Sequence, residues 1–184
     1  MTDVLATLTP LFATRDSPAL GPQRRDSALL LALAQKQIGE LIVAAGLSGV
    51  SVQLVRSLAL LWHDHLAASH EISQSVHTVD GSCLHGLMHR RELDFGNAAY
   101  WFRRVGEHPI FPELARAVAE LTTASEFKAK LTAGDRWQPL AMIDACEAVE
   151  VAAAEVGDAE FLREAQALEF RFLLKHLADS GGSR

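Results

Sequence analysis

Apolar residues recur every three or four positions along most of the chain, which is the period of an α-helix with a buried face. Stretches rich in glycine, proline and capping residues separate these periodic segments, and no dense run of β-branched residues points to strands. The pattern therefore predicts an all-α protein built from antiparallel helical hairpins. The predicted N-caps are Asp26 with Ser27 for the second helix and Ser82 for the helix that begins at position 84. Gly46 or Gly49 is the predicted end of the second helix, and Pro112 is expected in the first turn of the helix at 113–121. The predicted helices span positions 3–12, 27–45, 51–62, 66–76, 84–92, 98–105, 113–121, 139–153 and 158–179.

Two neighbouring helix pairs in the middle of the chain align with each other at an offset of 30 residues. Leu54 then matches Leu84, and Asp64 matches Asp94 in the turn between the helices, where each aspartate is a predicted helix cap. A spacing near 30 is just below the roughly 34 residues of tetratricopeptide repeats. The central pair of hairpins is therefore expected to be tetratricopeptide-like, although two amphipathic hairpins also align by chance.

Composition supports the helical prediction, since 29 alanines and 27 leucines are strong helix formers. The formal net charge of −6 disfavours general binding to nucleic acid, which needs a basic face. Cys83 and Cys146 are far apart and form no CxxC pair, and the longest apolar run, 28–34, is too short to span a bilayer. We expect a cytoplasmic protein with one helical domain. Its expected divisions are an N-terminal segment and linker at 1–26, the domain at 27–179 and a flexible tail at 180–184.

Six of the eight histidines fall between positions 63 and 89, and their spacing suggests a site. His85, His89 and Glu92 share one face of a helix because they are four and three residues apart. Two imidazoles and a carboxylate are credible ligands for zinc, iron or manganese, and His70 on the preceding helix would complete the set. No HExxH pair is present. A hydrogen-bonded polar seam between helices and a solvent-exposed face are the alternatives.

Aromatic and basic residues follow the histidines and supply further candidates. Tyr100 matches His70 at the 30-residue offset and is expected to face the same space, where His85, His89 and Tyr100 are the candidate catalytic groups. Arg90 or Arg103 would bind a carboxylate or phosphate with two parallel hydrogen bonds. The alternative for these arginines is intramolecular pairing with Glu92 and Asp94.

The run LHGLMHRRELDFGNAAYWFRRVGEHP, residues 84–109, resembles the motif of a family of uncharacterised helical proteins of bacteria and fungi. The segments LLWHDHLAASHEISQ and MIDACEAVE look similar to flanking parts of that family, so the resemblance covers roughly residues 54–175. The resemblance carries no established activity. It implies that the candidates form a single motif, and it adds Asn97 to the expected ligand-binding residues. The motif residues are His70, His85, His89, Glu92, Asp94, Asn97, Tyr100, Trp101 and Arg103.

Two functional hypotheses follow, and the sequence does not decide whether the protein is an enzyme. In the first, a divalent metal or a small anionic ligand occupies a His/Glu site between helical hairpins, and metal-activated water performs hydrolysis. In the second, the helical repeats form a non-enzymatic module that binds a protein or peptide partner in a groove. A contact with RNA through the arginines is a weaker third reading, which the acidic net charge disfavours.

Overall fold

Ten α-helices and two short 3-10 helices account for all the regular secondary structure in residues 3–14, 16–22, 28–152 and 156–181, which are the residues that the computed structural model describes. The prediction of an all-α protein is confirmed. The predicted cap at Asp26 and Ser27 and the apolar position Ala153 lie outside the described residues. The α-helices are α1 (Val4–Leu8), α2 (Ala28–Ala45), α3 (Val50–Trp62), α4 (Leu66–Ser73), α5 (Val79–Arg91), α6 (Phe95–Val105), α7 (Phe111–Ala119), α8 (Lys128–Leu131), α9 (Pro139–Ala152) and α10 (Val156–Gly181). The 3-10 helices are Thr9–Phe12 and Ala133–Asp135.

The fifth helix begins earlier than the sequence indicated. Thr78 is its N-cap, and the Thr78 hydroxyl accepts a hydrogen bond from the backbone N–H of Gly81 at 3.0 Å. The prediction that Ser82 is the cap was wrong, because Thr78 already satisfies the first free N–H group and residues 79–82 form the first turn. This earlier start places Asp80 in the first turn of α5.

The turns that join α3 to α4 and α5 to α6 have the same hydrogen-bond pattern at an offset of 29 residues. His65 donates its backbone N–H to Leu60, and Asp94 donates to His89, as in a Schellman motif. The left-handed residues of the two turns are Asp64, with φ 66°, and Leu93, with φ 64°. Asp64 is therefore the counterpart of Leu93 and does not cap α4; the N-cap of α4 is His65.

One continuous apolar core joins both ends of the described chain, and α5 lies within it. The fifth helix packs against α3, α4 and α6, while α10 packs against α1, α3, α7 and α9. Leu8, Leu11 and Phe12 are buried in this core, so the segment before residue 27 contributes to it. Ser180 and Gly181 belong to α10 instead of a tail, and the Gly181 carbonyl accepts a hydrogen bond from the Ser48 N–H at 3.1 Å.

Within the described ranges, no helix combines the length and the apolar character that crossing a membrane requires.

Candidate functional site

Three histidine side chains from two helices converge, and we call them the three-histidine cluster: His70, His85 and His89. The four-residue spacing puts His85 and His89 on one face of α5, with their rings stacked at a centroid distance of 4.7 Å. His70 on α4 faces both, with its ring centroid 4.8 Å from that of His85 and 5.1 Å from that of His89. One ring nitrogen of each histidine lies within 4.8 Å of the others. The predicted convergence of these three residues is thus present in the structure.

A close contact between α5 and α6 brings an indole against this cluster. Gly86 allows the approach, because a Cβ atom there would lie 2.8 Å from the ring of Phe102 on α6. Trp101, which directly precedes Phe102 on α6, stacks on His85 at a ring-centroid distance of 4.1 Å. His85 is therefore sandwiched between the His89 ring and the Trp101 indole, which fixes its orientation.

The cluster is buried and incompletely hydrogen-bonded. His85 is 4% exposed and His89 is 8% exposed. Both ring nitrogens of His85 and the Nδ1 atom of His89 have no hydrogen-bond partner among the described residues. Burial, followed by the charges of His89 and His70, lowers the pKa of His85 to about 4. Burial also lowers the pKa of His89, and the carboxylate of Glu92 acts in the opposite direction. The His85 imidazole is thereby neutral well below neutral pH, and the lowered pKa of His89 favours the same neutral state, which is the one that ligates a metal.

Two carboxylates border the cluster beside His89. The Oε2 atom of Glu92 lies 3.4 Å from His89 Nδ1, and Oδ2 of Asp94 lies 3.9 Å from the same nitrogen. Glu92 does not join the group of atoms that lie within 4.8 Å of one another, so its place is next to one imidazole instead of among all three. This geometry suits a carboxylate that orients a ligating histidine.

Arg90 points away from the candidate site, into the core. Its guanidinium is completely buried and donates two hydrogen bonds to Glu169 on α10, at 3.2 and 2.5 Å. The indole N–H of Trp137 donates to the same carboxylate at 2.9 Å. The expectation that Arg90 binds an anionic ligand is corrected here, because Glu169 occupies its fork and leaves no face open. Arg90 does pair within the chain, but its partner is Glu169, 79 positions away, and not the predicted Glu92 or Asp94.

Asn97 has a structural role in the turn before α6. Its backbone N–H and its side-chain Nδ2 donate to the two carboxylate oxygens of Asp94, at 3.2 and 2.6 Å. The side chain of Asp94 thus caps α6, as the sequence predicted, and Asn97 holds that cap. The structure shows no contact of Asn97 with the three-histidine cluster.

The exposed end of the site carries Tyr100 and Arg104. Tyr100 is half exposed, stands edge-on to Trp101, and accepts a hydrogen bond from Arg104 at 3.4 Å. The guanidinium of Arg104 lies 5.5 Å from the centre of the Trp101 ring. Arg103, the arginine that the sequence singled out, instead lines a shallow cavity of about 280 Å³ with Arg136. Sequence reasoning thus overlooked Arg104, the arginine that lies over the indole of the site.

A second group of metal-binding residue types lies outside this site, and we call it the Asp80 cluster: Asp80, His108 and His176. The Oδ1 atom of Asp80 is 3.0 Å from the Nε2 atoms of both histidines. Burial acts to raise the pKa of Asp80, but hydrogen bonds and charges from the two histidines hold that pKa below its usual value. Sequence reasoning missed this group because no helical period connects residues from three distant segments.

Comparisons with models of protein families, with curated proteins and with solved structures find no match to this chain. The residues of the site therefore carry the functional argument by their own geometry.

Proposed function

We propose that this protein binds a divalent transition metal through His70, His85 and His89 and uses it for hydrolysis. The observation that carries the proposal is that both buried ring nitrogens of His85 lack hydrogen-bond partners among the described residues, in a cluster whose ring nitrogens converge. Buried polar atoms are nearly always paired, and an ion is one of the few partners that satisfies several converging acceptors at once. Neutral imidazoles with lowered pKa values suit this role.

The donor set favours zinc. Three histidines with a free fourth position are typical of catalytic zinc sites, in which the ion lowers the pKa of a bound water. The carboxylate of Glu92, 3.4 Å from His89 Nδ1, would hold that nitrogen as the protonated one and leave Nε2 to the ion. Glu92 is therefore proposed as a positioning residue.

The proposed substrate is a small anionic molecule or a peptide carrying a negative group. Arg104 is linked to the cluster by contact, because it lies over the Trp101 indole that stacks on His85. Its only side-chain hydrogen bond among the described residues is to the phenol of Tyr100. Arg104 therefore keeps donors for a carboxylate or phosphate, and Tyr100 supports its position.

Metal binding is tested on the full chain purified without a His tag, stripped with a chelator and reloaded with Zn²⁺. We expect His89→Asn to lose one equivalent of zinc and His77→Asn, a matched change at an exposed histidine of the α4–α5 connection, to lose none. Elemental analysis after gel filtration measures the ratio. Unchanged zinc content in both His89→Asn and His85→Asn would contradict the proposal.

A cleft in the structure supports the alternative proposal of an interaction module. A cleft of about 750 Å³ lies between the 3-10 helix Thr9–Phe12, α2 and the α3–α4 turn, and Leu11, Ile38 and His65 line it.

Tetratricopeptide-like pairing of α3–α4 with α5–α6 as antiparallel hairpins stays a proposal, which the shared turn pattern supports.

The two free, buried cysteines suit a reducing compartment, so we propose that the protein is located in the cytoplasm.

A further inference from the structure

We propose that the Asp80 cluster is a second divalent-cation site, independent of the three-histidine cluster. One ligand atom from each of Asp80, His108 and His176 lies within 4.8 Å of the other two. The two separations from Asp80 Oδ1 to the imidazole Nε2 atoms are both 3.0 Å. Bonds of about 2.0–2.1 Å to one tetrahedral ion place neighbouring ligand atoms about 3.3 Å apart. The three atoms would thus reach a common ion with small adjustments of their side chains.

The fold holds these ligands in place before any ion binds. Asp80 stands in the first turn of α5, behind the Thr78 cap. The side chain of His108 is fully buried in the connection between α6 and α7, and its ring lies 5.5 Å from that of Phe111. His176 comes from α10, with its ring 5.2 Å from that of His108. Because packing already fixes the buried ligand, binding does not have to order the whole site.

The Asp80 cluster is accessible from solvent, and its ligand atoms are of the types that bind a divalent cation. The side chains of Asp80 and His176 are each about one quarter exposed, so an ion can enter and water can complete its coordination. Two imidazoles and one carboxylate are a donor set used for zinc and for ferrous iron. In the described residues, Asp80 forms ion pairs with the two histidines and with no lysine or arginine. No fixed cation therefore competes for its charge.

The two clusters differ in the partner that an ion must replace. The Nδ1 atom of His108 accepts a hydrogen bond from the Ile110 N–H at 3.3 Å, so Nε2 carries the proton and donates to Asp80. If an ion binds Nε2, the proton has to move to Nδ1, and Nδ1 then no longer accepts the long hydrogen bond from Ile110. An ion at the three-histidine cluster meets His85, whose ring nitrogens have no hydrogen-bond partner to lose among the described residues. The second site is therefore the weaker of the two.

The experiment is a zinc titration of the stripped full chain against a chromophoric chelator. We expect the wild type to bind two equivalents, the second at least tenfold more weakly than the first. Asp80→Asn should lose only the weaker equivalent, and His89→Asn only the tighter one. Asp179→Asn is the matched control, because Asp179 pairs with Lys175 on the exposed side of α10 and should leave both equivalents.

Folding is checked by circular dichroism, and His176→Asn replaces Asp80→Asn if the latter does not fold. One equivalent in the wild type, retained in both Asp80→Asn and His176→Asn, overturns the second site and leaves the proposed function standing. One equivalent that Asp80→Asn removes and His89→Asn retains overturns the proposed function and supports the second site. Absence of any zinc binding overturns both.

Discussion

At the scale of single residues, His85 shows how a helical spacing of four residues can place an imidazole where its pKa is lowered. The four-residue spacing to His89 was visible in the sequence and correctly placed both rings on one helix face. The stacking of Trp101 on the other side of the ring depends on how closely α6 approaches α5. That distance is set by Gly86, whose role no side-chain pattern reveals. The sequence could therefore predict the three-histidine cluster, but it could not predict the close contact between α5 and α6 that buries His85 and lowers its pKa.

The lowered pKa of His85 predicts how the metal-free protein responds to acid. The unfolded chain binds a proton at this residue near pH 6.5, whereas the folded chain does so near pH 4. Between these values the unfolded state carries more protons than the folded state. The folded state therefore keeps its full stability above pH 6.5, and the share that depends on a neutral His85 is lost as the pH falls toward 4. With allowance for solvent screening, we expect a loss of about 1–2 kcal/mol in the free energy of unfolding.

Urea unfolding in excess chelator at pH 7.0 and at pH 4.5 measures this loss. His85→Gln should reduce the difference between the two pH values, and His77→Gln should leave it unchanged. His89 shifts in the same direction, so a smaller pH dependence remains in His85→Gln. An equal pH dependence in the wild type and His85→Gln would show that the burial of this imidazole does not oppose its protonation.

At the scale of helices, boundaries were predicted well where a proline or glycine marks them and less well elsewhere. Pro112 lies in the first turn of α7, and Gly46, with φ 69°, follows the end of α2, both as the sequence indicated. The offset between the two middle helix pairs is 29 in their turns, not 30. An aspartate and a leucine occupy the left-handed positions, where glycine is the usual signal. Without that signal, matching one aspartate to the other was off by one residue.

The contact between α5 and α6 makes Gly86 sensitive to a single added carbon. Gly86→Ala would place a Cβ atom 2.8 Å from the buried Phe102 ring, so the ring or the helix has to move. Although alanine favours the helix, we expect a net loss of about 1–2 kcal/mol, measured by urea unfolding. Gly39→Ala on α2 is the control, because its nearest atom would be 3.9 Å away. That change should stabilise the protein by about 0.5–1 kcal/mol, and a loss as large as that of Gly86→Ala would contradict the steric explanation.

At the scale of the whole molecule, the buried ion pair of Arg90 and Glu169 ties α5 to α10. The abundance of alanine and leucine predicted the helical class, because local propensity determines it. The partner of Arg90 lies 79 positions away, and pairing over such a distance depends on the tertiary arrangement of helices that a single sequence does not display. For the same reason the sequence did not predict the Asp80 cluster, whose residues are also far apart along the chain.

Breaking this pair should affect the whole domain. Glu169→Gln leaves the buried Arg90 charge without its counter-charge, so we expect a loss of about 3 kcal/mol in the free energy of unfolding. Asp179→Asn, which breaks the exposed pair with Lys175, should change stability by less than about 1 kcal/mol. Thermal and urea unfolding compare the two variants, and a loss in Glu169→Gln no larger than that in Asp179→Asn would show that the pair does not hold the helices together.

The stacking of Trp101 on His85 gives the protein an optical reporter of its own. The chain has three tryptophans, and Trp62 and Trp137 are buried in the core, whereas Trp101 is partly exposed and in contact with an imidazole. Indole emission is quenched by a protonated imidazole in contact with it, and an ion held by that imidazole prevents protonation. Because the folded chain protonates His85 only near pH 4, the native fluorescence of the metal-free chain should fall as the pH approaches 4, and it reports the state of this imidazole without any label.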